Sequence, residues 1–291
     1  MTVLGRLAGI VWLLVCAGAA HALQITDQRG VTVQFAQSPQ RIVSLLPSLT
    51  ESVCGLGQCA RLVGVDRYSN YPDSVKALPK VGGGIDPNVE AVIALRPDVV
   101  LLSVSSRASA RLESLGMKVV ALEPKNHADV RRVLLSLQQL LEVSGDNSAE
   151  RLWREIDAGV SAAAQSLPPR ARGIRVYFEV SRGPYGAGET SFIGETLQRL
   201  QVRNIVPATL GPFPRLNPEF VVRADPQIIM IGNRSMQDRV EYPGWKSIDA
   251  VRHNRVCVFN NDDADVLVRP GPRMAEAARI MARCITDKVG P

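Results

Sequence analysis

Two stretches of the chain carry the same residue pattern 129 positions apart, and this repetition limits the possible fold more than any other feature. The pattern covers residues 88–102 and again residues 217–231. Each copy has an Asn two residues before a Glu, a Pro seven residues after that Glu, and then an apolar run that opens with β-branched residues. This order predicts an Asn-capped helix, a turn closed by proline and a buried strand. Two copies predict two similar α/β lobes, with Glu90 and Glu219 at the matching position of each.

The rest of the chain alternates in the same way between predicted strands and helices. A hairpin is predicted at residues 25–33, strands at residues 41–46, 61–65, 118–122 and 174–178, and helices at residues 108–115 and 129–141. Residues 147–167 contain no proline and carry an apolar stripe, which predicts one long helix that ends at Pro168. The predicted fold is therefore α/β: two Rossmann-like lobes with mainly parallel sheets, at residues 23–145 and 169–291, joined by a rigid helix within residues 146–168. Clefts between two lobes are favoured ligand sites.

The first 22 residues have the pattern of a cleaved secretory signal. A positive residue precedes an apolar run at residues 7–20, and residues 20–22 fit the small-x-small rule for cleavage. The alternative is a membrane anchor, but the run is shorter than the roughly 20 residues that a spanning helix needs. Cys16 does not indicate a lipoprotein, because Val15 stands where a small residue is required. The sequence therefore predicts export to the periplasm.

Export gives the remaining cysteines a structural meaning. Residues 23–291 contain Cys54, Cys59, Cys257 and Cys284, an even number in an oxidising compartment. Three pairings are possible; we favour Cys54–Cys59 and Cys257–Cys284 because each joins residues that are close in sequence. Free buried thiols remain an alternative. A metal site is not expected, because the CxxC-type spacing and histidine neighbours of such sites are missing.

The composition argues against nucleic-acid binding and against common enzyme chemistries. The net charge of +6 comes from scattered basic residues with no aromatic-interleaved patch, so no nucleic-acid partner is expected. No GxSxG, P-loop or HExxH motif occurs. After the leader only His127 and His253 remain, too far apart for a multi-histidine metal cluster, and His127 is predicted to lie on the surface. A binding protein is therefore favoured, with an exported enzyme that uses the same cleft as the remote alternative.

Several residues on loops after predicted strands are candidates for ligand contact. Tyr68, Tyr185 and Phe213 lie on Gly- and Pro-rich loops, where aromatic rings are less expected in the core and can stack on a flat ligand. The run at residues 82–86 contains three glycines, which suits either an anion cradle of backbone amides or a flexible loop.

The two glutamates of the repeat have two explanations. A carboxylate in the first turn of a helix is favoured by the helix dipole, by roughly 0.3–1 kcal/mol. That explains one glutamate, but it explains less well why Glu90 and Glu219 occupy the same position in both copies. Matched acidic points on two lobes would dock on two basic sites of a two-fold symmetric partner.

The chain resembles a known family of proteins. The resemblance rests on motifs at residues 41–51, 62–65, 68–72, 94–100 and 269–273. They resemble the periplasmic substrate-binding proteins of ABC importers, specifically the metal-chelate receptors whose lobes are joined by a rigid helix, and most of all the cobalamin binders among them. The resemblance runs over essentially the whole chain after the leader. It implies a monomer without an intrinsic cofactor, which captures a metal-chelate nutrient and delivers it to a permease dimer in the inner membrane.

The resemblance also implies roles for individual residues. Glu90 and Glu219 match the glutamates that pair with permease arginines, and Tyr68 matches a tyrosine that contacts the corrin. Tyr185 falls where the cobalamin binders have a ligand-contacting phenylalanine and Phe213 where they have a tryptophan. The expected ligand-binding set is Tyr68, Gly84, Asp86, Ser103, Tyr185, Phe213, Arg215, Asp265 and Arg269.

The same comparison shows departures that concern the ligand. Gly84 and Ser103 stand where the cobalamin binders have tryptophans, and the cysteines do not match their disulfide positions. Four arginines are candidate cleft residues that suit the propionates of haem or the carboxylates of a ferric siderophore: Arg67, Arg107, Arg215 and Arg269. A corrinoid is therefore the first choice of ligand, and a ferric siderophore or haem is the alternative.

Overall fold

The computed structural model describes residues 23–232 and 242–290, so the predicted leader at residues 1–22 lies outside the described residues. Within that part the chain forms eleven strands and ten α-helices. None of these described helices is both long enough and apolar enough to cross a bilayer. The architecture is the predicted one: two α/β lobes with mainly parallel sheets.

The N-terminal lobe begins with the predicted hairpin, β1 (Leu23–Thr26) and β2 (Thr32–Phe35), which pair antiparallel. Its central sheet is entirely parallel, in the order β4–β3–β5–β6. The four strands are β3 (Ile42–Ser44), β4 (Leu62–Val65), β5 (Val99–Leu102) and β6 (Val119–Ala121). The helices are α1 (Pro47–Gly55), α2 (Val89–Ala94), α3 (Ser109–Ser114) and α4 (His127–Leu141).

The C-terminal lobe repeats this plan around one long central strand, β7 (Arg175–Ser181). In the order β11–β10–β7 the strands are parallel, and the short strands β8 and β9 also pair with β7, antiparallel and parallel respectively. The remaining strands are β8 (Tyr185–Gly186), β9 (Arg203–Asn204), β10 (Ile228–Gly232) and β11 (Val256–Phe259). The helices are α6 (Phe192–Arg199), α7 (Pro218–Ala224), α8 (Asp249–Arg252), α9 (Asn261–Leu267) and α10 (Met274–Val289).

Both sheets are buried on both faces, which explains why their strands read as continuous apolar runs. In β5, Val99 and Leu101 join one core cluster while Val100 joins another on the opposite face. The same alternation places Phe178 and Tyr177 of β7 in the two separate cores of the C-terminal lobe. Helices on both sides of a parallel sheet require apolar residues at every strand position, not at every second one.

The repeat has the structure that its sequence predicts. The side chain of Asn88 accepts a hydrogen bond from the backbone of Ala91 at 2.9 Å, and that of Asn217 accepts one from the backbone of Glu219 at 2.9 Å. Each Asn therefore caps a short helix, α2 or α7, and each helix leads through a turn into a buried strand, β5 or β10. Glu90 and Glu219 lie in the first helical turn of the two copies.

A single helix, α5 (Ala149–Gln165), connects the lobes and packs against both. Ser148 caps its start and short 3₁₀ turns flank it, so it is shorter than the predicted segment 146–168. Ile156 belongs to the core of the N-terminal lobe, and Val160, one turn later, to that of the C-terminal lobe. The connector is thus part of both cores rather than a free linker.

Both predicted disulfides are present. Cys54–Cys59 links the end of α1 to the following turn, and Cys257–Cys284 links β11 to α10. Each closes a loop within one lobe, so neither crosses between the lobes.

Candidate ligand-binding cleft

A cavity of about 610 Å³ lies between the two lobes. Its wall in the N-terminal lobe comes from segments that directly follow β3, β4 and β6, and Val180 of β7 contributes from the C-terminal lobe. Side chains at the carboxyl ends of parallel strands are the usual source of ligand sites in open α/β sheets. The lining is mainly apolar with a few charged groups, and the volume is within the range of small-molecule sites.

Aromatic rings face the cavity from both lobes. Tyr68 is 53% exposed on the N-terminal side, and Phe213 is partly exposed on the other. Phe213 packs against Phe192, with 5.8 Å between ring centroids. Tyr185 lies on β8, bridged to Arg215 two residues beyond Phe213. Exposed rings on rigid supports are suited to stacking on a flat ligand, because little side-chain entropy is lost on binding.

The exposed ring of Tyr68 is carried on a firmly held backbone. The Tyr68 N–H donates to the Asp66 carboxylate at 2.9 Å, and its carbonyl accepts from the Arg269 guanidinium at 2.9 Å. Asp66 is itself buried, and burial raises its pKa although bonds from the Ser69 hydroxyl and the Tyr68 amide act in the other direction. The turn at residues 66–70, called here the Tyr68 turn, is therefore fixed by both lobes, because Arg269 belongs to the C-terminal lobe.

Arg269 is the centre of an ionic network that crosses between the lobes. Its guanidinium lies 3.0 Å from the Glu51 carboxylate and 2.8 Å from Asp265, and its side chain is only 7% exposed. Arg273 also pairs with Glu51, at 2.8 Å. Burial opposes the positive charge of Arg273, yet its bonds with Glu51 outweigh this effect and raise its pKa. Asn70 donates to Asp265 at 2.9 Å, which adds a second link from the Tyr68 turn to the other lobe.

Gly84 and Ser103, two of the predicted ligand residues, are closely surrounded by other protein atoms. A Cβ atom on Gly84 would lie 2.5 Å from the backbone oxygen of Leu45, so a larger residue needs a shift of the backbone. Ser103 is buried and donates to the Glu123 carboxylate at 2.6 Å. Asp86 is exposed and pairs with Arg67 at 3.3 Å. Of these residues only Glu123 directly lines the cavity.

Of the nine predicted ligand residues, the structure places four on the cavity wall: Tyr68, Phe213, Asp265 and Arg269. Tyr185 and Arg215 lie on the segments that support Phe213, while Gly84, Asp86 and Ser103 lie behind or beside the wall of the N-terminal lobe. The sequence interpretation missed Glu123, Lys125 and Phe192, which also line the cavity. Glu123 and Lys125 follow the predicted strand at residues 118–122, and a position just after a parallel strand is the sequence signal for such residues.

His127 is buried between the lobes, so the prediction that it lies on the surface was wrong. Its Nε2 atom is 3.1 Å from the Phe192 carbonyl and 3.0 Å from the Thr196 hydroxyl, and its backbone N–H donates to Glu195 at 2.7 Å. Burial lowers the pKa of His127, which keeps the ring neutral at neutral pH. The first residue of a surface helix is usually exposed, which is why the sequence predicted exposure. Here α6 of the C-terminal lobe covers the start of α4 and buries His127.

The two repeat glutamates lie at the same edge of their lobes. Each opens a helix that precedes a parallel strand, so its position is at the carboxyl edge of the sheet, where the cleft also opens. Glu90 is exposed, and Glu219 is exposed with Arg223 at 3.7 Å. Such a surface pair is weak and leaves the carboxylate available.

The cleft offers a largely apolar binding surface with a few charged side chains. In residues 23–232 and 242–290 no cluster of three or more His, Cys, Asp or Glu side chains is arranged to hold a metal ion. Two lobes around a cleft, joined by a helix that belongs to both cores, define a ligand-binding protein of the two-lobe class. The family model described as periplasmic binding protein matches residues 42–262, and the chain belongs to that family. This is a family of binding proteins and not of enzymes.

Relatives and solved structures agree with this assignment. The chain is 30% identical to the ABC transporter substrate-binding lipoprotein YvrC of Bacillus subtilis, over 90% of this chain and 84% of that protein. It is 26% identical to the vitamin B12-binding protein of Vibrio parahaemolyticus, over 84% of this chain and 90% of that one. Among solved structures, the periplasmic heme-binding protein BhuT in complex with two hemes superimposes with a TM-score of 0.74 at 25% identity, and the match covers 87% of this chain and all of that one.

Proposed function

We propose that this protein is the substrate-binding component of an ABC importer, which captures a metal-chelate nutrient in the cleft and delivers it to an inner-membrane permease. The observation that carries this proposal is a cavity of about 610 Å³ with partly exposed aromatic rings from both lobes, and a matched exposed glutamate at the same edge of each lobe. The family and the substrate-binding relatives support it. In this proposal the leader at residues 1–22 directs export to the periplasm and is then removed.

A corrinoid is the first choice of ligand. The cavity wall is mostly apolar and has the faces of Tyr68 and Phe213 available for a flat ring system. A relative that matches most of the chain is a vitamin B12-binding protein. Because Gly84 and Ser103 supply no ring on the N-terminal side, Tyr68 is the main stacking surface there.

Haem is the second candidate, and two observations favour it. The phenol of Tyr68 is exposed at the cavity, where it could ligate haem iron, and Lys125 on the same wall suits a propionate. A solved structure similar to this one is a heme-binding protein. A ferric siderophore would use the same cationic groups.

The ligand is identified by calorimetric titration of the purified protein, freed of its leader, with cyanocobalamin, hemin and ferrichrome in separate experiments. We expect one class to bind with a Kd of about a micromolar or tighter, and Tyr68→Ala to weaken it by about tenfold or more through the lost stacking. If hemin binds, Tyr68→Phe separates the two roles of this side chain, since it keeps the ring but removes the iron ligand and shifts the haem absorption spectrum. If none of the three ligands binds at a concentration about 100-fold above the expected Kd, the proposed ligand class is wrong.

Docking is tested with the double charge reversal Glu90→Arg, Glu219→Arg. Both side chains are exposed at helix starts and make few contacts within the protein, so ligand affinity should stay within about twofold while uptake through the cognate permease is lost, because like charges now face each other. The matched control is Glu142→Arg with Glu155→Arg, two exposed glutamates outside the repeat. Uptake of the labelled ligand by whole cells measures both variants. Normal uptake with the Glu90/Glu219 variant would exclude the docking role.

A further inference from the structure

A buried glutamate of the C-terminal lobe is connected by hydrogen bonds to a loop at the cleft. Glu179 lies on β7 and is 4% exposed. The hydroxyl of Tyr242 donates to its Oε1 atom at 3.1 Å, and the backbone N–H of Gly183 donates to the oxygen of Tyr242 at 2.9 Å. The chain Glu179–Tyr242–Gly183 therefore runs from the interior of the lobe to the loop that follows β7.

Gly183 fixes the place of the Tyr185 ring. Its φ angle of 139° is in the region that favours glycine, and a Cβ atom there would lie 2.9 Å from a ring carbon of Tyr185. The ring is thus packed directly over the Gly183 backbone. Any movement of this peptide moves the surface on which Tyr185 rests.

The same loop supports the segment that carries Phe213. The N–H groups of Gly186 and Gly188 donate to the carbonyls of Pro214 and Pro212, at 3.0 and 2.8 Å. The guanidinium of Arg215 donates to the Gly183 carbonyl at 3.3 Å. Both Pro212 and Phe213 line the 610 Å³ cavity, so these hydrogen bonds connect the Gly183 loop to its wall.

We propose that Glu179 and Tyr242 are positioning residues that hold the Gly183 loop and, through it, the aromatic surface of Tyr185 and Phe213 in the geometry that binds the ligand. This inference rests on the proposed function and adds specific residues to it. Neither residue lines the 610 Å³ cavity, so each acts through the loop and not by direct contact.

A carboxyl group is an unexpected choice for a purely structural role at this place. Burying a carboxylate is unfavourable, and a glutamine of the same shape could accept the Tyr242 bond without a charge. The phenols of Tyr177 and Tyr242 face Glu179. Two charged side chains, Arg182 and Asp265, line the same small cavity of about 310 Å³ as Glu179, and Arg182 also acts on Tyr242. Burial raises the pKa of Glu179 to about 7, so its charge changes near neutral pH.

The protonation of Glu179 should affect how firmly the loop is held. Its ionised form accepts the Tyr242 hydroxyl in a charge-assisted hydrogen bond, which is about twice as strong as a neutral one. The protonated form weakens that bond and can donate to the Tyr242 oxygen in competition with Gly183. We therefore expect both loop order and ligand affinity to fall as the pH is lowered from 8 to 6.

The test compares Tyr242→Phe, Glu179→Gln and the control Tyr71→Phe, which removes the same hydroxyl from an exposed tyrosine outside the chain of bonds. Hydrogen exchange of the Gly183 amide is measured without ligand, and Kd is measured with cyanocobalamin and with hemin. Tyr242→Phe should speed the exchange and weaken whichever probe binds, each by about tenfold, the effect of one lost hydrogen bond. Tyr71→Phe should change both by less than twofold.

Glu179→Gln provides the readout that a merely structural role would not move. It should bind at pH 6 within about twofold of the wild-type protein and remove the difference between pH 6 and pH 8. The positioning role would be overturned if Tyr242→Phe left the exchange of the Gly183 amide unchanged, or if it sped the exchange without changing Kd. A pH dependence of Kd in Glu179→Gln that equals that of the wild-type protein would also overturn it. If the wild-type protein binds neither probe, the proposed ligand is wrong, and the exchange measurement alone decides whether Tyr242 holds the loop.

Discussion

The carboxyl of Glu179 illustrates how burial sets the chemistry of a single residue. Burial is the largest influence on it and raises its pKa to about 7, although the phenols of Tyr242 and Tyr177 act to lower it. Between the ordinary glutamate pKa of about 4.5 and this value, the folded protein holds a proton that the unfolded chain has lost. Folding stability therefore decreases as the pH rises through this interval.

Glu179→Gln should cancel this dependence, because the amide does not titrate. Relative to the wild-type protein, we expect the free energy of unfolding of this variant to be larger at pH 8 than at pH 4.5, so that the variant gains stability on the order of 2–3 kcal/mol over this interval. Urea denaturation at several pH values measures it. The control is Glu219→Gln, an exposed residue in the first turn of a helix, whose replacement should shift stability by about 1 kcal/mol or less. If the free energies of unfolding of the wild-type protein and of Glu179→Gln differ by the same amount across this pH range, the raised pKa of Glu179 is refuted.

Single residues also show where sequence reasoning succeeded and where it could not. The caps Asn88 and Asn217 were predictable because capping is local and depends only on the next three residues. The burial of His127 was not predictable, since it depends on α6 of the other lobe, some 65 residues away in the chain. The inter-lobe pairing of Arg269 with Glu51 is equally non-local, with a sequence separation of 218 between the partners.

Among the elements, the repeated helix–turn–strand units and the connecting helix were the most predictable. The buried strands β5 and β10 have continuous apolar sequences that suit a parallel sheet covered on both sides. The bounds of α5 were less accurate, because the proline-free segment began inside the 3₁₀ turn Gly145–Asn147, which sequence alone does not separate from the helix. Two-residue strands such as β8 have no sequence period and are defined only by their partners.

The disulfides give a prediction about these elements. Cys257–Cys284 spans 27 residues and Cys54–Cys59 spans 5, so the first restricts the unfolded chain more. From loop-closure entropy we expect the double alanine variant of the long bridge to lose roughly 3–4 kcal/mol and that of the short bridge roughly 2 kcal/mol. Urea denaturation under non-reducing conditions measures both variants. If the two variants lose equal stability, or if the short-bridge variant loses more, then native contacts and not chain entropy determine the loss.

The whole molecule is held as one unit by contacts on different sides of the cleft. The connector α5 contributes to both cores, His127 joins α4 to α6, and Arg269 joins α9 and α10 to the Tyr68 turn. These links favour small adjustments of the cleft wall over a wide opening of the lobes. A binding surface built on such a frame is already organised before the ligand arrives, which lowers the entropy lost on binding.

The strongest of these links should be the ionic network around Glu51. Its carboxylate is nearly inaccessible and bonds both Arg269 and Arg273, at 2.8–3.0 Å. Glu51→Gln keeps the shape of the side chain but leaves two buried guanidinium groups without their shared anion. Removing one partner of a buried ion pair is strongly destabilising, and we expect a loss of about 3–5 kcal/mol.

Urea denaturation measures this loss, and Glu155→Gln is the matched control because its pair with Arg151 is exposed and contributes about 0.5 kcal/mol or less. Small-angle X-ray scattering of folded Glu51→Gln gives a second, independent measurement. Since Arg269 also fixes the Tyr68 carbonyl, we expect a larger radius of gyration and a weaker ligand complex together. A loss of stability below 1 kcal/mol with unchanged scattering would mean that α5 and the His127 contact hold the lobes together without the network.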